Sequence, residues 1–116
     1  MNNSMNLQTL LCAPGRTPDQ QLALFALLNL GIIESLANGL VSATDALQAF
    51  FNAENCLFVR QQLRETIANQ VMSHGVQLPD LFDVLPAEEA HREFQRELAT
   101  MRSLCLKLLE NKQLVA

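Results

Sequence analysis

A 3-4 repeat runs through the last third of the chain, at Ala87, His91, Phe94, Leu98, Met101, Cys105 and Leu108. A strand would split these positions between its two faces, whereas an α-helix gathers them into one seam that lies lengthwise on a near-parallel neighbour. The spacing predicts a long helix from about Pro86 to Lys112. Glu88 and Glu89 in its first turn and Lys107 and Lys112 near its end match the sign of the helix dipole. Both acids stand where they can pair outward with Arg92.

The rest of the chain repeats that grammar. Thr17-Pro18-Asp19-Gln20 places a capping Thr before Pro at the first helical position, with Gln at the capping-box position. That helix runs to Asn38-Gly39, a left-handed stop. Ser42 with Asp45 opens a short helix carrying Ala43, Leu47, Phe50 and Phe51 and ending near Asn52. Val59, Leu63, Ile67 and Val71 form one ridge of a third long helix, about Asn55 to His74, which Gly75 is expected to close. Leu78, Leu81, Phe82 and Leu85 then make a short piece behind Pro79. Residues 1–16 show no sustained periodicity and read as a loosely ordered arm, with Leu7, Leu10 and Leu11 able to tuck onto the body. The fold class is all-α: a compact antiparallel bundle of four to five helices, three long and two short, in a single domain spanning 17–116.

Composition narrows the function classes. Hydrophobic residues make up 49% of the chain and charged residues only 17%, against a typical charged share of about 25%. That leaves apolar surface with few charges to cover it, the mark of a chain that meets another chain. Tyr and Trp, the usual stacking platforms, are absent, and the net charge is -4, the wrong sign for phosphate binding. Between Thr17 and Val59 there is no Lys or Arg. No nucleic-acid partner is expected. Cys12, Cys56 and Cys105 form neither a CxxC pair nor a zinc pattern, which suits free thiols in a reducing cytoplasm. Leu22 to Ile33, the most apolar run, is too short to span a bilayer, and Met5 to Cys12 lacks the basic start of an export signal, so no membrane contact is expected.

Three motifs carry possible chemistry. Glu88 and His91, one helical turn apart, are half of a carboxylate-bridged di-metal site, but no second Glu-x-x-His exists. Residues Ile67 to Val84 resemble a helix-turn-helix in Val71, Gly75, Val76, Leu81 and Val84, yet the reading helix would offer Gln77, Asp80 and Asp83 to phosphates. There is no phosphate loop and no nucleophile motif; Asp80 with Asp83 reads as a wet helix face, and Cys56 as a buried thiol. His74 and His91 are the positions at which a ligand or metal would be sought.

The first and last helices are apolar beyond one face. In the first, the outer stripe reads Leu24, Leu27 and Gly31; in the last, Leu104, Leu108 and Leu109 stand in a nearly unbroken apolar run. These six residues are the expected contact surface of a homodimer. The expected function is a small cytoplasmic interaction or regulatory module, self-associating, open to a protein partner, without cofactor or catalytic activity. The alternatives are a helix-turn-helix regulator or a ligand- or metal-binding bundle.

Overall fold

A computed structural model describes residues 4–110. The helices are α1 (Leu7–Leu11), α2 (Pro18–Ala37), α3 (Ala43–Ala49), α4 (Ala53–Phe58), α5 (Thr66–Val84) and α6 (Ala87–Glu110), with a π-helical turn over Val59–Leu63. Among the described residues there is no strand. The fold is an all-α helical bundle.

Local sequence sets most of the boundaries. Thr17 and Gln20 close a complete capping box at the start of α2, and Ser42 and Asp45 close another at α3. At the far end of α2, Gly39 takes φ +72, with Gly39 N–H bonded to Leu36 O at 3.2 Å and Leu40 N–H to Ser35 O at 2.9 Å. That pair of bonds is a Schellman stop, and the left-handed residue it needs is the glycine.

α6 packs lengthwise on both α5 and α2, which meet each other only briefly. α3 packs on α5 and α2 and so closes the gap between them. The core is built from Phe25, Ala26 and Ile33 of α2, Val71 and Leu78 of α5, Leu98, Met101 and Cys105 of α6, and the adjacent Phe50 and Phe51. The rings of Phe50 and Phe51 stand edge to face, 5.0 Å apart.

The N-terminal segment tucks onto the body through Leu7 and Leu11, which are buried, while Leu10 stays exposed, and Met5 N–H reaches Ala49 O at 2.7 Å. Asn55, itself buried, accepts from Leu7 N–H at 3.1 Å and donates to Met5 O at 2.8 Å and Phe50 O at 2.9 Å. A single amide thus satisfies backbone groups that would otherwise be enclosed without partners.

The expected third helix breaks where no breaker residue stands. It ends in the π turn, and Arg64 adopts a left-handed φ of 52 before α5 begins. Gly75, expected to close a helix, lies buried inside α5, which continues through Pro79 to Val84. A Cβ at position 75 would stand 2.3 Å from Cδ1 of Phe51, so the glycine serves packing rather than a turn. The uninterrupted helix also removes the turn that a helix-turn-helix over 67–84 requires.

The seam of α6 is shifted at its start. Ala90 is buried while Ala87 and His91 are exposed; from Phe94 onward the expected positions are the buried ones. The expected end at Lys112 lies outside the described residues.

Candidate interaction surfaces

The outer face of α2 carries part of the apolar surplus that the sequence placed there. The helix buries Leu22, Ala23, Phe25, Ala26, Asn29, Ile33 and Leu36. On the other side Leu27 remains 43% exposed and Gly31 is exposed. From Gln20 to Ile33 there is no charged residue. Taken over its full 20 residues α2 is long and apolar enough to cross a bilayer, unlike the shorter run Leu22 to Ile33 on its own, and the core helix of a globule meets the same measure; here one face is core and the other is bare.

That bare face is one wall of a groove of about 460 Å³ between α2 and α3, lined by Leu27, Leu28, Gly31 and Ile32 on one side and by Val41, Ala46, Ala49 and Phe50 on the other, with Met5 at its edge. Its polar lining residues are spent locally. The Ser35 hydroxyl donates to Gly31 O at 2.9 Å, and Asp45 caps α3 with its carboxylate 3.5 Å from Ser42 N. The groove therefore offers almost purely apolar contact.

Of the six residues expected to form an interface, the structure keeps Leu27 and Gly31 at the surface and draws the others inward. Leu108 is a core residue, 2% exposed, because it falls on the seam of α6. Leu24, Leu104 and Leu109 are partly buried against the core cluster. The exposed apolar residue in that part of α6 is instead Leu106.

A second, larger concavity of about 730 Å³ lies where the α2–α3 turn faces the end of α5 and the start of α6. Leu36, Val41, Pro79, Phe82 and Phe94 supply apolar walls, and Asp83, His91 and Gln95 supply polar groups. Phe82 and Phe94 meet at 5.2 Å in an edge-to-face pair. His91 thus stands at a cleft, while Glu88 is exposed at the helix start; among the described residues no three His, Cys, Asp or Glu side chains converge in a metal-holding group.

His74 sits elsewhere. Its Nδ1 lies 2.5 Å from Oε2 of Glu97, joining α5 to α6, in a polar row with Thr66, Asn69, Gln70, Ser73 and Gln77. A carboxylate-oriented imidazole is half of a general-base arrangement. The contact ties α5 to α6. Burial pushes the Cys105 thiol up to about 12; Cys56, only partly buried rather than enclosed as expected, is raised by burial too, with Arg60 pulling the other way by less. Surface ion pairs include Arg96 with Glu93 at 2.9 Å and Arg102 with Glu34 at 3.3 Å, the latter tying α6 to α2.

Comparison with curated proteins and with solved structures returns no match in either set. Residues 18–115, which take in every element after α1, match the family described as "Protein of unknown function (DUF3969)", and the chain belongs to that family.

Proposed function

We propose that this is a cytoplasmic, non-catalytic helical interaction module that works as a homodimer, two copies meeting through the outer face of α2. The observation that carries the reading is Gly31. A glycine inside a helix costs about 1 kcal/mol relative to Ala. Gly75 offsets that cost by admitting Phe51, but a Cβ built at Gly31 would meet nothing within 4 Å. Among the described residues nothing accounts for a missing side chain there, whereas a second helix crossing at Gly31 does, because its backbone approaches most closely where there is no Cβ.

A second copy is the occupant that the surface favours. Leu27, Leu28 and Ile32 around Gly31 are apolar, and the acids at the edge of the face, Glu34 and Asp45, are engaged within the chain by Arg102 and by the cap of α3, so two such faces can close on apolar contact. Leu27 on one copy supplies the side chain, and the groove beside Gly31 on the other receives it.

Sedimentation equilibrium on the full chain at micromolar concentrations tests this, with Gly31→Ala and Leu27→Asp alongside. Self-association is expected for the unmodified chain and is expected to weaken in both variants. Gly31→Ala should at the same time raise the stability of the isolated chain by up to about 1 kcal/mol, since the helix gains an Ala and no clash is created. An unmodified chain that stays monomeric throughout, or a Gly31→Ala variant that associates equally well, removes the reading.

A further inference from the structure

We propose that the cleft between the α2–α3 turn, the end of α5 and the start of α6 docks a basic segment of another protein, anchored by an apolar side chain against Phe82. The cleft does not include Leu27 or Gly31; it adjoins the self-association groove through Val41, which lines both, and opens on the other side of the α2–α3 turn. Its volume, about 730 Å³, is within the range of sites that take a substantial ligand group, and Leu36, Val41, Phe82 and Phe94 give it apolar walls.

Apolar exposure continues past the rim. Leu40, in the turn between two lining residues, is 78% exposed; Phe82 is 47% exposed, and Val84, at the end of the same helix, 77% exposed. An anchor side chain entering the cleft would cover surface that now faces water.

Charge selects the partner. Asp83 lines the cleft; within about a helical turn of lining residues the acids Asp80, Glu88, Glu89 and Glu93 outnumber the bases Arg92 and Arg96, and Arg96 is spent on Glu93, so the rim is acidic on balance. No Lys or Arg lines it. Asp83 also stands in the last turn of α5, where the helix dipole disfavours a negative charge, and among the described residues it has neither a hydrogen bond nor an ion pair. A carboxylate placed against local stability, with its charge unspent, on an apolar cleft is suited to a cationic partner. The same field opposes nucleic acid.

The experiment is selection of a random peptide display library on the immobilised full chain, in parallel on an Asp83→Lys chain and on the Leu27→Asp chain. Peptides enriched on the unmodified chain should pair an aromatic or aliphatic residue with Lys or Arg, be retained on Leu27→Asp and be lost on Asp83→Lys. One such peptide, synthesised and titrated into the ¹⁵N-labelled chain, should shift amides in 36–44, 79–83 and 91–95. Its affinity should fall with added salt and drop about tenfold or more in Asp83→Lys. The melting temperature of Asp83→Lys should rise, since the substitution suits the helix end, and this separates lost docking from lost folding. A library without binders, without Lys or Arg enrichment, or with the same binders on Asp83→Lys overturns the proposal. So do shifts centred on Gly31, or cleft shifts that follow the chain's own concentration without peptide, which would make the occupant a second copy.

Discussion

Replacing Gly75 by Ala sets two opposed effects against each other at one atom. Helix propensity favours Ala by about 1 kcal/mol in a helix interior. The new methyl, however, would lie 2.3 Å from Cδ1, 2.5 Å from Cε1 and 2.5 Å from Cγ of Phe51. Those carbons form one edge of the ring, which is only 1% exposed and braced edge to face by Phe50, so it has no free direction of escape. Overpacking of a filled core costs about 1–3 kcal/mol, and contact at three ring atoms puts this site at the upper end. A net loss of about 2 kcal/mol is expected after the propensity gain. Urea unfolding followed by far-ultraviolet circular dichroism measures it. The decisive comparison is the cycle with Phe51→Leu: a smaller side chain at 51 should accept the added methyl, so the cost of Gly75→Ala should shrink by at least about 1 kcal/mol in that background. A neutral Gly75→Ala, or equal costs in both backgrounds, would refute a packing role for this glycine.

Asn55→Ala should cost about 3 kcal/mol or more, because its loss strands Leu7 N–H, Met5 O and Phe50 O; denaturant unfolding gives the loss, and amide exchange at Leu7 should accelerate far more than exchange in α6. Asn29 is enclosed with its Oδ1 unpaired among the described residues and its Nδ2 bonded to Phe25 O, so Asn29→Leu should raise stability by about 1 kcal/mol, and a measured loss would contradict that assignment. Cys105 keeps its proton in the folded chain up to about pH 12, whereas an exposed thiol loses it near 9, so between those values the unfolded state binds fewer protons and stability falls as pH rises. A Cys105→Val chain should show a flatter decline over that window in denaturant titrations at several alkaline pH values.

The fold class was legible because helical signals are local. Capping boxes at Thr17 and Ser42, the stop at Gly39 and most of the α6 seam each depend on neighbours within a few residues. What failed were positions decided by distant contacts. Gly75 carries the same residue type as Gly39, yet its use is set by Phe51, and no spacing rule distinguishes a helix-closing glycine from one that makes room for a ring. The break at Arg64 lies in Gln61-Gln62-Leu63-Arg64-Glu65, with no Gly, Pro or Asn to announce it; the π turn adds a residue and the left-handed Arg64 redirects the chain. Asn55 looked like an ordinary helix-start residue, and its role as the clasp for the N-terminal segment depends on partners at Met5 and Leu7. At the candidate surfaces, surplus apolar residues on α2 were visible from composition, and Leu27 and Gly31 remain exposed. On α6 the surplus was absorbed by two neighbours rather than one, since α6 is covered by both α5 and α2.

What meets Gly31 decides between a self-associating chain and a solitary one, and mixed-label NMR observes it directly. In a sample of ¹³C-labelled and unlabelled chains at equal concentration, isotope-filtered spectra report only contacts between copies. The predicted result is a set of intermolecular cross-peaks that join the Leu27 methyls to Gly31 and Leu28 of the second copy, and that disappear in Leu27→Asp. Cross-peaks confined to other elements, or none at concentrations where the chain is soluble and folded, would contradict it.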